Sequence, residues 1–256
     1  IDNRFATMLT AGTASALNYA SRLYLLPIGV FAISLSVVIF PTLSKAVVKN
    51  QKRKVKKVIE QGMNLLAFLI IPSSVILYKY SFEIVKLIYK RGNFSDRAVI
   101  TTAETLKFYA LGLVFFSTIH LLTRSHYVFK DRKLPVISSF IAIFVNIFLD
   151  FLLYKEYKHI GLTIATSFSA MINYIILLIS LNRRHIKINI FRYIIFVISM
   201  IIISFSSYYV STTIIFNFLG KYAVLGNILL FGIIYLVQVL LLAVLKSYIL
   251  KYFKIK

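Results

Sequence analysis

The sequence predicts an all-α integral membrane protein, a polytopic helical bundle of about eight helices. Three observations carry that prediction. Of the 256 residues, 59% are hydrophobic and only 15% charged, where a soluble domain carries roughly a quarter charged residues. Apolar runs of the roughly 20 residues needed to cross a bilayer recur along the chain, separated by short charged stretches. The charge is lopsided, with 30 Lys and Arg against 8 Asp and Glu for a net of +22. These cations fall in clusters between the apolar runs, the pattern of loops that orient helices, and not on one face as a nucleic-acid-binding domain would place them.

In chain order, the sequence opens at Ile1 without a methionine or a basic lead-in to a short apolar stretch. It is expected to start inside a longer protein rather than at a signal peptide. Residues 1–20 carry Asp2, Asn3 and Arg4 and then the small-residue run Ala11, Gly12, Thr13, Ala14, Ser15, Ala16. That stretch is expected to be the tail of a truncated eighth helix. Seven clear spans follow, at about 23–43, 61–80, 102–123, 134–154, 160–181, 192–216 and 222–245. Pro27, Pro41, Pro72 and Pro135 lie in or at the ends of spans, where they bend a helix or mark its end.

Alternate linkers set the orientation. One side collects nineteen of the 30 basic residues, around Lys45–Lys57, Arg124–Lys133, Arg183–Arg192 and Lys246–Lys256. The richer side is expected in the cytoplasm, with the carboxy terminus inside. Between 44 and 60, Val47, Val48, Val55, Val58 and Ile59 recur at near-helical spacing among seven basic residues. Two readings fit: an amphipathic helix on the anionic inner leaflet, or a solvated basic loop. Residues 82–97 are expected to form a short interfacial helix broken at Arg91-Gly92, with Ser95 or Asp96 capping the next span.

Ionisable groups at membrane depth are costly and mark candidate sites. Arg22, in Tyr19-Ala20-Ser21-Arg22-Leu23, can hold a phosphate bidentately or snorkel to headgroups. His120 lies deep in its span, as an anion-facing group or a satisfied packing residue. Asp2 and Arg4 are candidates for a cavity wall, and Lys107 is expected to snorkel. Asp150, with Asn146 one turn earlier, is a thin donor set for a cation. Gly12 with Ala16, and Ala165 with Ser169, allow close helix approach.

No cysteine is present, and no Walker-type loop, HExxH, nucleophile elbow or carboxylate pair stands at useful spacing. His120, His126, His159 and His185 are scattered over different spans and loops. The sequence therefore argues for no enzyme, no metal and no cofactor.

Several ordered stretches resemble the MviN/MurJ-type lipid II flippases of the MOP (MATE-like) exporter superfamily. Tyr19-Ala20-Ser21-Arg22-Leu23, Leu26-Pro27-Ile28-Gly29-Val30-Phe31 and Ile39-Phe40-Pro41-Thr42-Leu43-Ser44 are similar to that family's YYADRL, PxGVxG and LPSLS elements. Leu87-Ile88-Tyr89-Lys90-Arg91-Gly92-Asn93-Phe94 resembles LFxRGxF. Tyr109-Ala110-Leu111-Gly112-Leu113, with Tyr127-Val128-Phe129-Lys130-Asp131-Arg132-Lys133-Leu134-Pro135-Val136, resembles YxxGL followed by FYAxxDTxTPV. A further match is Gly161-Leu162-Thr163-Ile164-Ala165-Thr166-Ser167. Ser21 stands where the family commonly has Asp, which removes a plausible partner of Arg22, and Leu134 stands where it has Thr.

The resemblance implies the carboxy-terminal half of a fourteen-helix transporter: a lobe over residues 1–182 and two additional helices over 183–256. It implies a bacterial inner-membrane flippase of the undecaprenyl-pyrophosphate-linked peptidoglycan precursor, serving cell-wall synthesis and cell shape. Arg22 maps onto the family's functional arginine, and His120 falls where a basic side chain often occurs. The implied partners are the lipid-linked precursor, anionic membrane lipids and the amino-terminal lobe of the same protein. A flippase of another lipid-linked glycan, of O-antigen or teichoic type, and a cation-coupled MATE-like exporter are the alternatives.

Overall fold

The structure, a computed structural model, describes the backbone of residues 2–9, 12–213 and 223–252 and the side chains of 4–9, 12–213 and 224–243. Every regular element among them is helical. Helix α1 (Asp2–Thr7) is short, and α2 (Thr13–Pro27), a π-helical segment (Ile28–Ile33) and α3 (Ser34–Val48) form one continuous rod. Then come α4 (Lys52–Lys79), α5 (Ser81–Tyr89), α6 (Asp96–Val128), α7 (Lys133–Arg184), α8 (Ile190–Thr213) and α9 (Ala223–Tyr252). Six stretches of the described residues are long and apolar enough to cross a membrane. One of them, α7, folds at Lys158 (φ 49°, ψ −130°). A side chain on Gly161 would lie 2.6 Å from the Leu153 carbonyl oxygen, so the chain doubles back there and gives the two predicted spans.

The first span starts earlier than expected. The run that reads as a truncated helix tail instead opens α2, because Gly12, in a left-handed turn (φ 91°), caps a new helix that starts at Thr13. The basic stretch 44–60 also differs from both of its readings. It splits between the ends of α3 and α4 around a turn at Lys49–Gln51, with Asn50 at φ 52°. Val55 and Ile59 are core residues, 1% and 0% exposed, so their apolar face is covered by protein and not by lipid.

Pro27 precedes the π-helical turns and Pro72 sits inside α4. Proline lacks an amide hydrogen, so Pro72 leaves the Phe68 carbonyl without its helical donor. The Tyr235 hydroxyl of α9 donates to that oxygen at 2.7 Å. In the apolar interior an orphaned carbonyl costs several kcal/mol at worst, so this bond docks α9 on α4 where the helix is weakest. Lys79, at the end of α4, lies 4.9 Å from the Tyr208 ring and 5.6 Å from the Phe205 ring, which holds α8 against the same helix.

At the opposite end from the basic clusters the expected interfacial helix is α5. It stops before Gly92 (φ 58°), and the Ser95 hydroxyl accepts the Ala98 amide at 3.2 Å to cap α6. Helix α6 is the central element: α2, α4, α5 and both limbs of α7 pack on it. Small residues make that possible, since a side chain on Gly112 would meet Ser167 at 2.7 Å and one on Gly62 would meet Leu121 at 3.0 Å.

Candidate functional site

Helix α2 buries Thr13, Ala16, Leu17, Ala20 and Leu23 against the bundle. Its other face carries Ser15, Asn18 and Arg22, all exposed at helical spacing. Polar groups turned away from the core at membrane depth belong to a watery cavity and not to lipid. Arg22 stands over the Tyr19 ring, 6.0 Å from its centroid. Tyr19 is itself fixed by the Tyr89 and Phe94 rings, at 4.8 and 5.3 Å, and its carbonyl accepts the Tyr89 hydroxyl at 3.2 Å. No carboxylate among the described residues pairs with Arg22, and the Ser21 hydroxyl donates locally to the Asn18 carbonyl at 2.8 Å. The guanidinium is therefore oriented by aromatic rings and left with its donors available to an anion.

His120 is half-buried on α6, one turn before Arg124, which is still helical and not in a loop. Two residues beyond Arg22, Tyr24 packs on Tyr109 and Phe116, at 4.6 and 5.4 Å. Arg22 thus sits near the level of residue 110, and His120 lies about 15 Å deeper toward the strongly basic end, at about 1.5 Å per residue. The structure does not bring these two candidates together. Arg4 is exposed on α1, beyond the Gly12 turn, while the Asp2 side chain lies outside the described residues. Helix α1 itself leans on α7 through Phe5 and Tyr154, 5.4 Å apart.

Where α2 and α6 begin, a cavity of about 370 Å³ is lined by Thr13, Tyr19, Arg97, Thr101, Lys158 and His159, among others. His159 pairs there with Glu104 at 2.9 Å. The cavity shares Ser15 with the polar side of α2 and adds Arg97 and Lys158 to the cations of this end. Sequence reading puts both on this side but does not single them out, because only the packing of the α6 start against the turn at Lys158 brings them to one cavity. Asp150 is fully buried with Asn146 one turn earlier, facing the bundle while Phe144, Phe148 and Phe151 point outward. A second cluster, at the strongly basic end, gathers His126, Asp131 and His185, two of the four histidines that the sequence leaves scattered.

A family described as "Lipid II flippase MurJ" matches residues 1–243. A probable lipid II flippase MurJ of Buchnera aphidicola subsp. Schizaphis graminum is 30% identical over 242 residues, 91% of this chain and 47% of that protein. A lipid II flippase MurJ of Thermosipho africanus is 34% identical over 171 residues, 67% of this chain and 35% of that protein. Among solved structures, a lipid II flippase MurJ in an inward closed conformation superposes with a TM-score of 0.78 at 30% identity, covering 92% of this chain and 48% of that one. The chain thus spans half or less of the length of these relatives. The family match over residues 1–243, the 30% identity over 91% of the chain and the shared helix arrangement make this multi-pass membrane protein a member of the MurJ lipid II flippase family.

Proposed function

We propose that this chain supplies the carboxy-terminal half of a lipid II flippase, which carries the lipid-linked peptidoglycan precursor across the bacterial inner membrane by alternating access. The observation that supports it best is the exposed Ser15, Asn18 and Arg22 face on an otherwise apolar rod. In this reading residues 1–182 form one lobe, and its partner across the cavity is the amino-terminal lobe of the same protein. Residues 183–256 are two additional helices beside which the polyprenyl tail stays in lipid. Arg22 receives the pyrophosphate, with Arg4, Asp2 and His120 lining the route at other depths. The strongly basic end faces the cytoplasm and its anionic lipids, with the carboxy terminus inside. No catalysis is required, since moving one negative charge out of an inside-negative cell is favoured by about 2.3 kcal/mol per 100 mV.

The test is complementation. The full-length protein, wild type or Arg22→Ala, is expressed in cells depleted of their lipid II flippase. Rescue by the wild type and failure of a well-inserted Arg22→Ala protein is the expected result. Failure of a well-inserted wild type would point to another lipid-linked glycan, and rescue by Arg22→Ala would remove the role assigned to that arginine.

A further inference from the structure

At the strongly basic end, the connection between α6 and α7 folds onto the last turn of α7. His126 is fully buried there. Its Nε2 lies 3.1 Å from the Leu177 carbonyl oxygen. A carbonyl only accepts, so in the neutral ring that nitrogen carries the hydrogen and Nδ1 carries the lone pair. Nδ1 makes no hydrogen bond and faces the Asp131 Oδ2, another lone-pair atom, at 3.6 Å. A buried lone pair turned on a carboxylate oxygen calls for a positive charge between them, a proton or a metal ion.

A third donor converges on the same point. His185 Nε2 lies 3.4 Å from the same Asp131 oxygen, and its ring is held flat against Phe129, 4.4 Å away with 5° between planes. The other oxygen of Asp131 accepts the Leu134 amide at 3.3 Å. The three donor atoms all lie within 4.8 Å of one another. In tetrahedral zinc coordination, with bonds of about 2.0–2.1 Å, ligand atoms sit about 3.4 Å apart. Two of the separations already match, and the third, between the two imidazole nitrogens, is at most 4.8 Å and closes as the ion draws them together.

We propose that His126 Nδ1, His185 Nε2 and the Asp131 carboxylate bind a divalent first-row metal ion of the Zn²⁺ type, with water as the fourth ligand. Two imidazoles and one carboxylate form the mixed nitrogen and oxygen set that such ions prefer over Mg²⁺ or Ca²⁺. The outer contacts have the pattern that orients metal ligands, an imidazole N–H on a backbone carbonyl and a carboxylate oxygen on an amide. Arg184, 3.8 Å from Asp131 Oδ2 and 61% exposed, is the side chain that swings into water when the ion enters. Bound metal ties the α6–α7 connection to the end of α7, so the site is a clamp across one end of the helix pair and takes no part in carrying substrate.

The test uses the tag-free, full-length protein in micelles, stripped with a chelator. Zn²⁺ is titrated by calorimetry, and Co²⁺ is added for its visible absorption. One equivalent per chain is expected, with affinity falling at least about tenfold in Asp131→Asn and in His185→Ala. Neither variant touches the Arg22 face, so both should remain active in complementation, which also checks that they insert and fold. Zn²⁺ should raise the unfolding temperature of the wild type and of neither variant. Binding undiminished in both variants would locate the ion elsewhere. Absence of stoichiometric binding, with His126 found doubly protonated by nitrogen NMR at neutral pH, would assign the gap to a proton. Either outcome overturns the proposal.

Discussion

Tyr235→Phe removes one oxygen and changes no volume in the core, yet the structure predicts a measurable loss. The Tyr235 hydroxyl donates at 2.7 Å to the Phe68 carbonyl that Pro72 leaves free, and Tyr235 is only 4% exposed. Hydrogen bonds between membrane helices contribute about 0.6 to 1.7 kcal/mol, and a buried acceptor left unsatisfied costs about 1–3 kcal/mol. A loss of about 1–2 kcal/mol is therefore expected. The decisive comparison is a double-mutant cycle with Pro72→Ala. Alanine returns an amide hydrogen to position 72, which serves the Phe68 carbonyl from within α4. In that background Tyr235→Phe should cost less than about 0.5 kcal/mol, a coupling of about 1 kcal/mol. Unfolding of the four full-length proteins in mixed micelles, followed by loss of helicity, gives the numbers. An equal cost of Tyr235→Phe in both backgrounds would refute the link between the proline and the tyrosine.

Gly161→Ala should destabilise by about 1–3 kcal/mol, because its side chain would lie 2.6 Å from the Leu153 carbonyl, which is backbone and cannot rotate away. Gly232→Ala, with nothing within 4 Å, is the control, and equal stabilities by the same assay would sink the argument. Ser95→Ala should cost about 1 kcal/mol and speed hydrogen exchange in the first turn of α6, read by mass spectrometry. Burial raises the Asp131 carboxyl, but the opposing contacts, led by the hydrogen bonds from His185 and the Leu134 amide, outweigh it and hold the group below its usual range. Its contribution is complete above the ordinary carboxylate value of about 3.9 and is lost as pH falls through the lower folded value. Thermal unfolding should accordingly weaken on acidification below about pH 4 in metal-free wild type and do so less in Asp131→Asn.

The spans were legible because a bilayer demands about 20 apolar residues per crossing, and that requirement is local. The cap at Ser95 and the stop at Gly92 were legible for the same reason, since each acts within one turn. The stretch 44–60 was not. Its valines have the spacing of an interfacial helix, but Val55 and Ile59 are covered by neighbours that are distant in sequence. The start of α2 was hidden because Ser15 and Asn18 lower the hydropathy of a segment that faces a polar space. Arg22 was found through its depth and its neighbouring residues, while Arg97 and Lys158, 61 residues apart in sequence, meet at one cavity only in the folded chain. His126 and His185 are far apart in the chain, so their meeting over Asp131 could be read only once α6 and the second limb of α7 were seen to run side by side.

The π-helical turns at Ile28–Ile33 also decide which way Arg22 points. Each residue of an α-helix advances about 100° around the axis, and a π-helical turn takes in one residue more. On an unbroken α-helix the inward stripe of α2, Ala16, Ala20 and Leu23, would point well away from that of α3, Ser36, Leu43 and Ala46. The surplus residue takes up about 100° of that offset, and both stripes face the bundle. Wound as plain α-helix, the rod could seat α3 correctly only by turning α2 about a quarter of a circle, which would carry Arg22 and Asn18 sideways off their face. The direction of the cationic face is set by a residue count, so this segment should accept many substitutions and very few deletions.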